Sequence, residues 1–311
     1  MRTTWKPISN ETKQLTFLLA LTFLFLFSGS SVVFGGDLRL PNDRGGIVDD
    51  FLLYMIEENT YLLVVNASNM QKDLDWINSH NTFDCKIDNQ SDNYSLLAVQ
   101  GPRSIELLQE LTDVNLTEIK YYNFNIGSIA GVENVILSRT GYTGEIGFEL
   151  YVRNEDARTL WDALFSTKIQ MKAIGLAARD TLRLEKGFCL YGNDINDTTS
   201  PIEAGLGWIT KFTKEFVNSE NLKIQKEEGT SRKLVGIELV EKGIARKGYP
   251  IIDKDGNEIG VITSGTMSPT LNKAIALGYV STEFSLVNSE VYIQVRKKQI
   301  KSKVVSLPFV K

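Results

Sequence analysis

Residues 141–150 read Gly141-Tyr142-Thr143-Gly144-Glu145-Ile146-Gly147-Phe148-Glu149-Leu150 and predict a tight turn followed by a strand. Glycine at three nearby positions lets the backbone bend sharply or lie close to a flat group, because no Cβ stands in the way. Downstream, Phe148, Leu150 and Val152 alternate with other residues, as in a strand with one buried face. The simplest interpretation is a β-hairpin turn with Glu149 at the surface.

The same stretch has the groups that would bind a flat heterocycle. The Tyr142 ring could stack on such a ligand, and the Glu149 carboxylate, as an anion, can only accept hydrogen bonds. A ring edge with an amino group and a ring N–H, which pterins and guanines both have, would form a paired contact with that carboxylate. The sequence therefore leaves two interpretations open, a structural turn and a ligand-binding turn.

Composition and charge narrow the function classes. The 311-residue chain is 42% hydrophobic and 23% charged, which is typical of globular proteins, and its length suits two or three domains. Its 34 basic and 38 acidic residues leave a net charge of −4. Because there is no basic excess, the sequence does not indicate a nucleic-acid partner.

Few residues are available for metal or nucleophilic chemistry. The sequence has one histidine, His80, and two cysteines, Cys85 and Cys189. These are too few for an ordinary zinc site, and they indicate no disulfide framework. His80 lies in a polar run typical of a solvated helix end, and the sequence contains neither a Walker phosphate loop nor a GxGxxG loop. We therefore expect no metal, and chemistry that relies on carboxylates, aromatics, arginine and amides.

The first 36 residues differ from the rest of the chain. Arg2, Lys6 and Lys13 precede an apolar run at 15–27, and small residues follow it. This order is typical of a secretory signal, and an apolar segment extended to Phe34 would be long enough to span a bilayer as a helix. A competing interpretation is that the segment is foreign to the fold and replaces residues that were lost.

Beyond residue 40 the pattern is that of an α+β protein. Residues 47–54 and 61–66 predict a hairpin. Amphipathic spacing predicts helices at 69–78, from Pro102, at 156–165 and at 175–185, and further strands are expected at 95–99, 121–124 and 135–137. Six short runs at regular spacing predict a small closed or nearly closed β-barrel, at 234–239, 249–252, 259–264, 274–280, 291–295 and 304–307.

Seven segments in one colinear order resemble the T-protein family, the aminomethyltransferases of the glycine cleavage system. The resemblance covers about residues 40–311, and it rests on the number of segments rather than on any one of them. The segments are 45–50 (GGIVDD), 64–69 (VVNASN), 100–102 (QGP), 139–145 (RTGYTGE), 175–185 (GLAARDTLRLE), 190–194 (LYGND) and 263–269 (TSGTMSP).

This resemblance implies a three-domain ring that binds tetrahydrofolate in its central hole, with a small C-terminal β-barrel. The chain departs from the family at its start, where the N-terminal part of the ring is missing and the apolar leader stands instead. We expect exposed sheet edges or a wider pocket as a result. The implied divisions are a leader foreign to the family at 1–36, a remnant of the second ring domain at 37–90, a central folate-binding α+β domain at 91–215, and the barrel at 228–311.

The resemblance also implies the reaction. The family takes an aminomethyl group from the lipoyl arm of a partner, the H-protein, releases ammonia and passes the one-carbon unit to tetrahydrofolate as co-substrate. One alternative is a non-catalytic folate-binding or regulatory relative. Another is an exported or membrane-anchored protein, an idea that depends on residues 13–34 alone. The family implies a cytoplasmic location, and a membrane association would require 15–34 to be a genuine anchor.

The first site residues follow from matched positions. The resemblance implies that Asp50 is the catalytic carboxylate, near the folate nitrogens and the positive charge that develops there, while Asp49 is structural. It implies that Asn66 contacts the ligand close to Asp50, and that Tyr142 and Glu149 hold the pterin and aminobenzoyl region. For each of them the spacing alone permits a structural interpretation instead.

The remaining candidates lie downstream. Arg179 matches a family arginine that meets the folate from a helix, and the alternative is an ion pair with Asp180 or Glu185. Asp180 and Tyr191 are implied as supporting residues. Arg246 either serves the glutamate tail of folate or is solvated.

Overall fold

The structure is a computed structural model that describes residues 15–19, 35–213 and 215–311, with side chains from residue 40 onward. The chain divides into two compact units, each of which is formed by several segments. Among the described residues, unit 1 consists of those up to Leu38, Asp49–Gly141 and Glu145–Ala173, and unit 2 of Arg39–Val48, Tyr142–Gly144 and Ile174–Lys311. The predicted boundary near residue 90, between the remnant of the second ring domain and the central folate-binding domain, stays a prediction.

The first sheet of unit 1 contains the predicted hairpin. Its strands are β1 (Leu15–Leu19), β2 (Gly35–Pro41), β3 (Ile47–Glu57), β4 (Thr60–Val65) and β5 (Ile87–Asn89), and helix α1 (Met70–His80) follows β4. Their order in the sheet is β2-β3-β4-β1-β5. Strands β3 and β4 pair antiparallel as expected. Because β4 is central, it is buried on both faces from Tyr61 to Val65.

The apolar leader is described only in part. Leu15–Leu19 pairs antiparallel with both β4 and β5, so these five residues form a strand and not a piece of a membrane-spanning helix. The rest of the predicted signal or anchor at 13–34 lies outside the described residues. Within the described part of the chain, no helix has the length and apolar character needed to cross a bilayer.

The second sheet of unit 1 follows in sequence. It contains β6 (Tyr94–Gln100), β7 (Phe124–Ile129), β8 (Val132–Ser138) and β9 (Gly147–Arg153), in the order β6-β9-β8-β7, with helices α2 (Ser104–Gln109) and α3 (Ala157–Leu164) beside it. The strand predicted at 121–124 begins only at Phe124, because Tyr122 has a φ of 64° and so leaves the extended conformation.

Both faces of this second sheet are covered. On one face, apolar side chains of β6, β8 and β9, including the predicted Phe148, Leu150 and Val152, pack with α2 and α3. On the other face, residues of β7, β8 and β9 pack against Tyr54 and Leu62 of the first sheet. Alternate residues of β9 therefore face two different buried layers, and neither face of β9 is a solvent face.

Unit 2 contains the barrel. Helices α4 (Leu176–Glu185) and α5 (Ser219–Glu228) precede the strands β10 (Arg232–Leu239), β11 (Pro250–Ile252), β12 (Glu258–Ser268), β13 (Lys273–Ser281), β14 (Glu290–Val295) and β15 (Lys298–Val305). The six strands close in the order β10-β13-β12-β11-β14-β15. The predicted closed barrel is confirmed, and a closed barrel leaves no unpaired edge.

A buried ion pair joins α4 to the barrel. Arg183 and Asp194 are both fully buried, and the guanidinium Nη1 donates to Asp194 Oδ2 at 2.6 Å. Arg183 Nη2 donates to Ser264 Oγ of β12 at 2.8 Å, and Ser264 Oγ donates to Asp194 Oδ2 at 3.0 Å. Each buried charge therefore has charged and polar partners, which offsets the cost of removing it from water.

We predict that Asp194→Ala lowers the free energy of unfolding by about 3–5 kcal/mol, because it removes the buried counter-ion of Arg183 and leaves only the half-exposed Asp180 beside the buried guanidinium. Asp162→Ala is the matched control. It removes an exposed pair with Arg158, whose N–O distance is 2.7 Å, and should cost less than about 1 kcal/mol. Urea unfolding measures both, and equal losses would contradict the prediction.

Candidate active site

A β-bulge sets Asp50 opposite Asn66. The register of β3 against β4 shifts by one residue near Ile56, where β3 has one residue more than its partner. Beyond the shift Leu52 pairs with Val64, and continuing that register brings Asp50 to Asn66. Asn66 Nδ2 lies 3.0 Å from Asp50 Oδ1 and 3.0 Å from the Asp50 carbonyl oxygen, and it donates to both. The structure thus brings these two predicted site residues together.

The neighbouring Asp49 is fully buried and accepts three hydrogen bonds. Its Oδ1 accepts from Asn66 Nδ2 at 2.8 Å and from Asn69 Nδ2 at 2.7 Å, and its Oδ2 accepts from the Asn66 backbone N–H at 3.1 Å. Asn69 immediately precedes α1. Asp49 therefore ties β3 to the end of β4 and to the start of α1, and its donors compensate for its burial.

Glu149 is buried, with 4% of its surface exposed, so its interpretation as a surface glutamate is wrong. The reason is that its face of β9 packs toward the first sheet rather than toward solvent. Its Oε2 accepts from Thr140 Oγ1 at 2.7 Å and from the Tyr151 hydroxyl at 3.3 Å. Its Oε1 accepts no hydrogen bond from any described residue, so one carboxylate oxygen is left for another donor.

Buried hydroxyls extend this arrangement. The Tyr54 hydroxyl lies 2.8 Å from Ser138 Oγ and 3.4 Å from the Tyr151 hydroxyl, and Ser138 Oγ lies 3.1 Å from Thr140 Oγ1. Burial, followed by the charge of Glu149, raises the pKa of Tyr54 to about 12, and the same causes raise the pKa of Tyr151 well above its ordinary value. Both phenols therefore keep their protons near neutral pH and stay able to donate.

In unit 2, the Tyr142 ring contacts an arginine and a second aromatic ring. The Arg179 guanidinium carbon is 4.7 Å from the centroid of the Tyr142 ring. Phe188 stacks on Tyr142 with 5.9 Å between ring centroids and 26° between ring planes. The Tyr142 hydroxyl donates to the Cys189 carbonyl oxygen, which fixes the ring. A cation over an aromatic face is attracted by the ring quadrupole.

The alternative predicted for Arg179, an ion pair along its own helix, is not formed among the described residues. Asp180 instead pairs with Arg183 at 2.8 Å. Glu185 accepts from the hydroxyls of Ser268 and Thr270 of the barrel domain, at 2.5 and 2.9 Å. Both carboxylates predicted as alternative partners of Arg179 are therefore engaged with other residues.

The supporting candidates lie apart from one another. Through Arg183, Asp180 belongs to the ion-pair cluster of α4. The Tyr191 hydroxyl donates to the Ile47 carbonyl oxygen at 2.9 Å, at the start of β3. Arg246 is exposed, and its Nη1 donates to the Gly265 carbonyl oxygen at 3.1 Å. Nothing in these contacts tests their predicted roles, which stay predictions.

The sequence analysis missed the residues that hold the site carboxylates. Tyr151 lies two positions after Glu149, and strand alternation puts both on one face, so this partner was readable from the sequence. Thr140 lies inside the segment 139–145 named above, but its role as a hydrogen-bond donor to Glu149 was not predicted. Ser138 comes opposite Glu149 only when β8 pairs with β9, and Tyr54 meets these residues only when two sheets pack together, so neither left a local signal in the sequence.

Two family models match the chain. The GCVT N-terminal domain matches residues 38–214, and the glycine cleavage T-protein C-terminal barrel domain matches residues 232–311. The chain belongs to the glycine cleavage T-protein family.

Relatives at higher identity agree with this assignment. The aminomethyltransferase of Flavobacterium psychrophilum is 58% identical over 274 residues, which are 88% of this chain and 76% of the relative. That of Halothermothrix orenii is 50% identical over 271 residues, 86% of this chain and 75% of the relative. The crystal structure of glycine cleavage system aminomethyltransferase T from Bartonella henselae superposes with a TM-score of 0.86 at 30% identity, covering 96% of this chain and 85% of that one.

These findings confirm several predictions. The resemblance to the T-protein family, the α+β fold of that family with its C-terminal barrel, and an aminomethyltransferase activity are all supported, and the non-catalytic alternative is not favoured. The roles of single residues are not tested by the comparisons, so Asp50, Asn66, Tyr142, Glu149 and Arg179 remain predicted site residues of this family member.

We predict that this T-protein family member loses stability between pH 10 and about 12. The unfolded chain releases the Tyr54 proton near the ordinary pKa of 10.0, whereas the folded chain keeps it until about pH 12. Stability from this group is complete below pH 10 and is lost as pH rises to 12, by about 2–3 kcal/mol.

Urea unfolding across this window measures the loss. Tyr54→Phe should flatten the decline, and Tyr121→Phe, which changes an exposed ring, should not. Equal declines in the wild type and Tyr54→Phe would contradict the assignment.

Proposed function

We propose that this family member moves the one-carbon unit from the aminomethyl-dihydrolipoyl arm of an H-protein to tetrahydrofolate and releases ammonia. The observation that supports this proposal is the position of Asp50, which is half-buried and whose Oδ1 accepts a hydrogen bond from Asn66 Nδ2 at 3.0 Å. A fixed carboxylate next to nitrogens that become positively charged stabilises that charge without having to reorient. Tetrahydrofolate supplies the nucleophilic nitrogens when it is bound, and the chain supplies orientation and negative charge.

Glu149 supports the choice of a pterin-containing ligand. Its Oε2 is held by Thr140 and Tyr151, while Oε1 accepts from none of the described residues. A buried anion that has neutral donors on one side keeps its charge for donors on the other. The amino group and ring N–H of a pterin are donors of the required kind, and we propose that Glu149 accepts from them.

In unit 2 we propose that Arg179 and Tyr142 also contact the folate. Arg179 is held against the Tyr142 ring at 4.7 Å and has neither Asp180 nor Glu185 as a counter-ion. A guanidinium without a carboxylate partner suits an anionic or aromatic ligand group. We propose supporting roles for Asp180 and Tyr191.

Arg246 is a further candidate contact of the folate. It is exposed at the barrel, and its Nη1 donates to the Gly265 carbonyl oxygen, a bond that orients the guanidinium without neutralising it. A cation of this kind fits a carboxylate of the glutamate tail of folate. We propose this role for it.

The lipoyl group comes from the partner, so the chain needs no resident cofactor for this reaction. The names of the relatives and the family descriptions support an H-protein as that partner, because the family acts within glycine cleavage. We propose the cytoplasm as the location, since export would separate the enzyme from folate and from the H-protein.

Asp50→Asn should lower H-protein-dependent ammonia release by about 100-fold or more, because an amide cannot stabilise the developing positive charge. Tetrahydrofolate binding, measured by titration calorimetry, should change much less, since the amide keeps the shape of the side chain. Asp113→Asn is the matched control, an exposed aspartate after α2. Full turnover by Asp50→Asn would contradict the proposed role.

Glu149→Gln should raise the dissociation constant for tetrahydrofolate about tenfold or more, because it replaces a charged acceptor by a neutral amide. Calorimetry of the whole chain measures it, with Glu133→Gln, an exposed residue of β8, as control. Binding that is unchanged in Glu149→Gln would remove Glu149 from the ligand contacts. If the wild type binds folate but releases no ammonia with H-protein, the transfer itself is refuted.

A further inference from the structure

The chemistry of its neighbours forces one orientation on the Asn66 side chain. Its amide nitrogen lies 2.8 Å from Asp49 Oδ1 and 3.0 Å from both Asp50 Oδ1 and the Asp50 carbonyl oxygen. All three are acceptors, so the NH₂ group must point toward them, and the reverse orientation would set oxygen against oxygen. Asn66 Oδ1 is therefore turned away from both aspartates.

Asp49 holds this orientation more firmly than Asp50 does. It is fully buried, whereas Asp50 is half-buried and keeps some contact with water. Asp49 also accepts from the Asn66 backbone N–H at 3.1 Å, so its two oxygens grip the backbone and the side chain of the same residue. The backbone contact fixes Asn66 beside the carboxylate, and the side-chain contact favours rotamers that direct the amide nitrogen to Asp49 Oδ1.

We infer that Asp49 is a positioning residue for the transfer reaction, an inference that rests on the proposed function. Asp49 acts by orienting the Asn66 amide toward Asp50. It does not touch the reacting atoms. Its carboxylate makes Asn66 donate to Asp50 Oδ1, which fixes the rotamer of the catalytic carboxylate, and presents Asn66 Oδ1 as an acceptor on the other side. A displaced carboxylate loses much of its effect on a transition state, because electrostatic stabilisation depends on preorganised geometry.

A purely structural Asp49 would behave differently. Asn69 Nδ2 also donates to Asp49, at 2.7 Å, but Asn69 makes no hydrogen bond with Asp50 among the described residues. Asn69→Ala therefore removes one donor from the same buried carboxylate without releasing Asn66. It is the matched control for any general loosening of β3 and α1.

The first readout does not depend on activity. In a spectrum of ¹⁵N-asparagine-labelled full chain, the Asn66 side-chain NH₂ signals are identified by their absence in Asn66→Ala. We expect both protons to lie outside the random-coil range and to exchange slowly in the wild type. In Asp49→Asn, the chemical shift of the Asn66 proton that faces position 49 should move toward the random-coil value. In Asn69→Ala, the chemical shifts of both Asn66 protons should stay as in the wild type.

The second readout is a double-mutant cycle on H-protein-dependent ammonia release. Asp49→Asn should lower kcat/KM about tenfold or more, mainly through kcat, while Asn69→Ala stays within about threefold of wild type. If Asp49 acts through Asn66, the double variant Asp49→Asn/Asn66→Ala should be no slower than Asn66→Ala alone, within about twofold.

Additive losses in this cycle would overturn the inference, as would random-coil, rapidly exchanging Asn66 amide protons in the wild type. If Asp49→Asn does not fold, the wild-type spectrum alone still tests whether the Asn66 amide protons are ordered. Ordered amide signals in a wild-type chain that releases no ammonia would refute the proposed function. In that case Asp49 would still orient Asn66, but this contact would have no role in a transfer reaction.

Discussion

The register of β3 against β4 decides which side chains meet around Asp50. Side chains alternate between the two faces of a strand, so a slip of one residue exchanges the entire set on each face. The bulge near Ile56 introduces such a one-residue shift between the hairpin turn and the far end of β3. Without it, Asp50 would lie opposite Ala67 rather than Asn66, and the amide that bonds both aspartates would lose its place. The contacts of Asn66 with Asp49 and Asp50 therefore depend on a single extra residue in β3.

The buried carboxylates fall into two kinds, according to the charge of their donors. Asp194 pairs with Arg183, so its charge is balanced by a buried cation in the contact that holds α4 against the barrel. Asp49 and Glu149 accept only from amides and hydroxyls of described residues, so their negative charges are stabilised without being cancelled. Neutral donors leave a field that attracts cations and N–H groups. On this basis the charge of Asp194 is paired within the fold, whereas the charge of Glu149 can act on a ligand.

Much of the fold could be predicted from periodicity. The apolar alternation of Phe148, Leu150 and Val152 and the evenly spaced strands of the barrel depend on local pattern, and both were predicted correctly. Alternation does not show what covers each face, and for that reason the sequence left open a surface position for Glu149, which the structure buries. The same limit applies to Leu15–Leu19, whose apolar residues suit a helix or a central strand equally well, and pairing with β4 makes them a strand.

For the site, the sequence by itself determined the family and the identity of the candidate residues, because colinear motifs carry residue types whose hydrogen-bonding groups are known before the fold is. On that basis the sequence identified two acceptors, the carboxylates of Asp50 and Glu149, and one side chain that both donates and accepts, the amide of Asn66. Tertiary structure alone decided which of them meet and which charges are left uncancelled. Asp49 grips Asn66 only after β3 pairs with β4, and Tyr54 reaches the hydroxyls beside Glu149 only after two sheets pack. Contacts between distant residues depend on pairing and packing, which local sequence does not record.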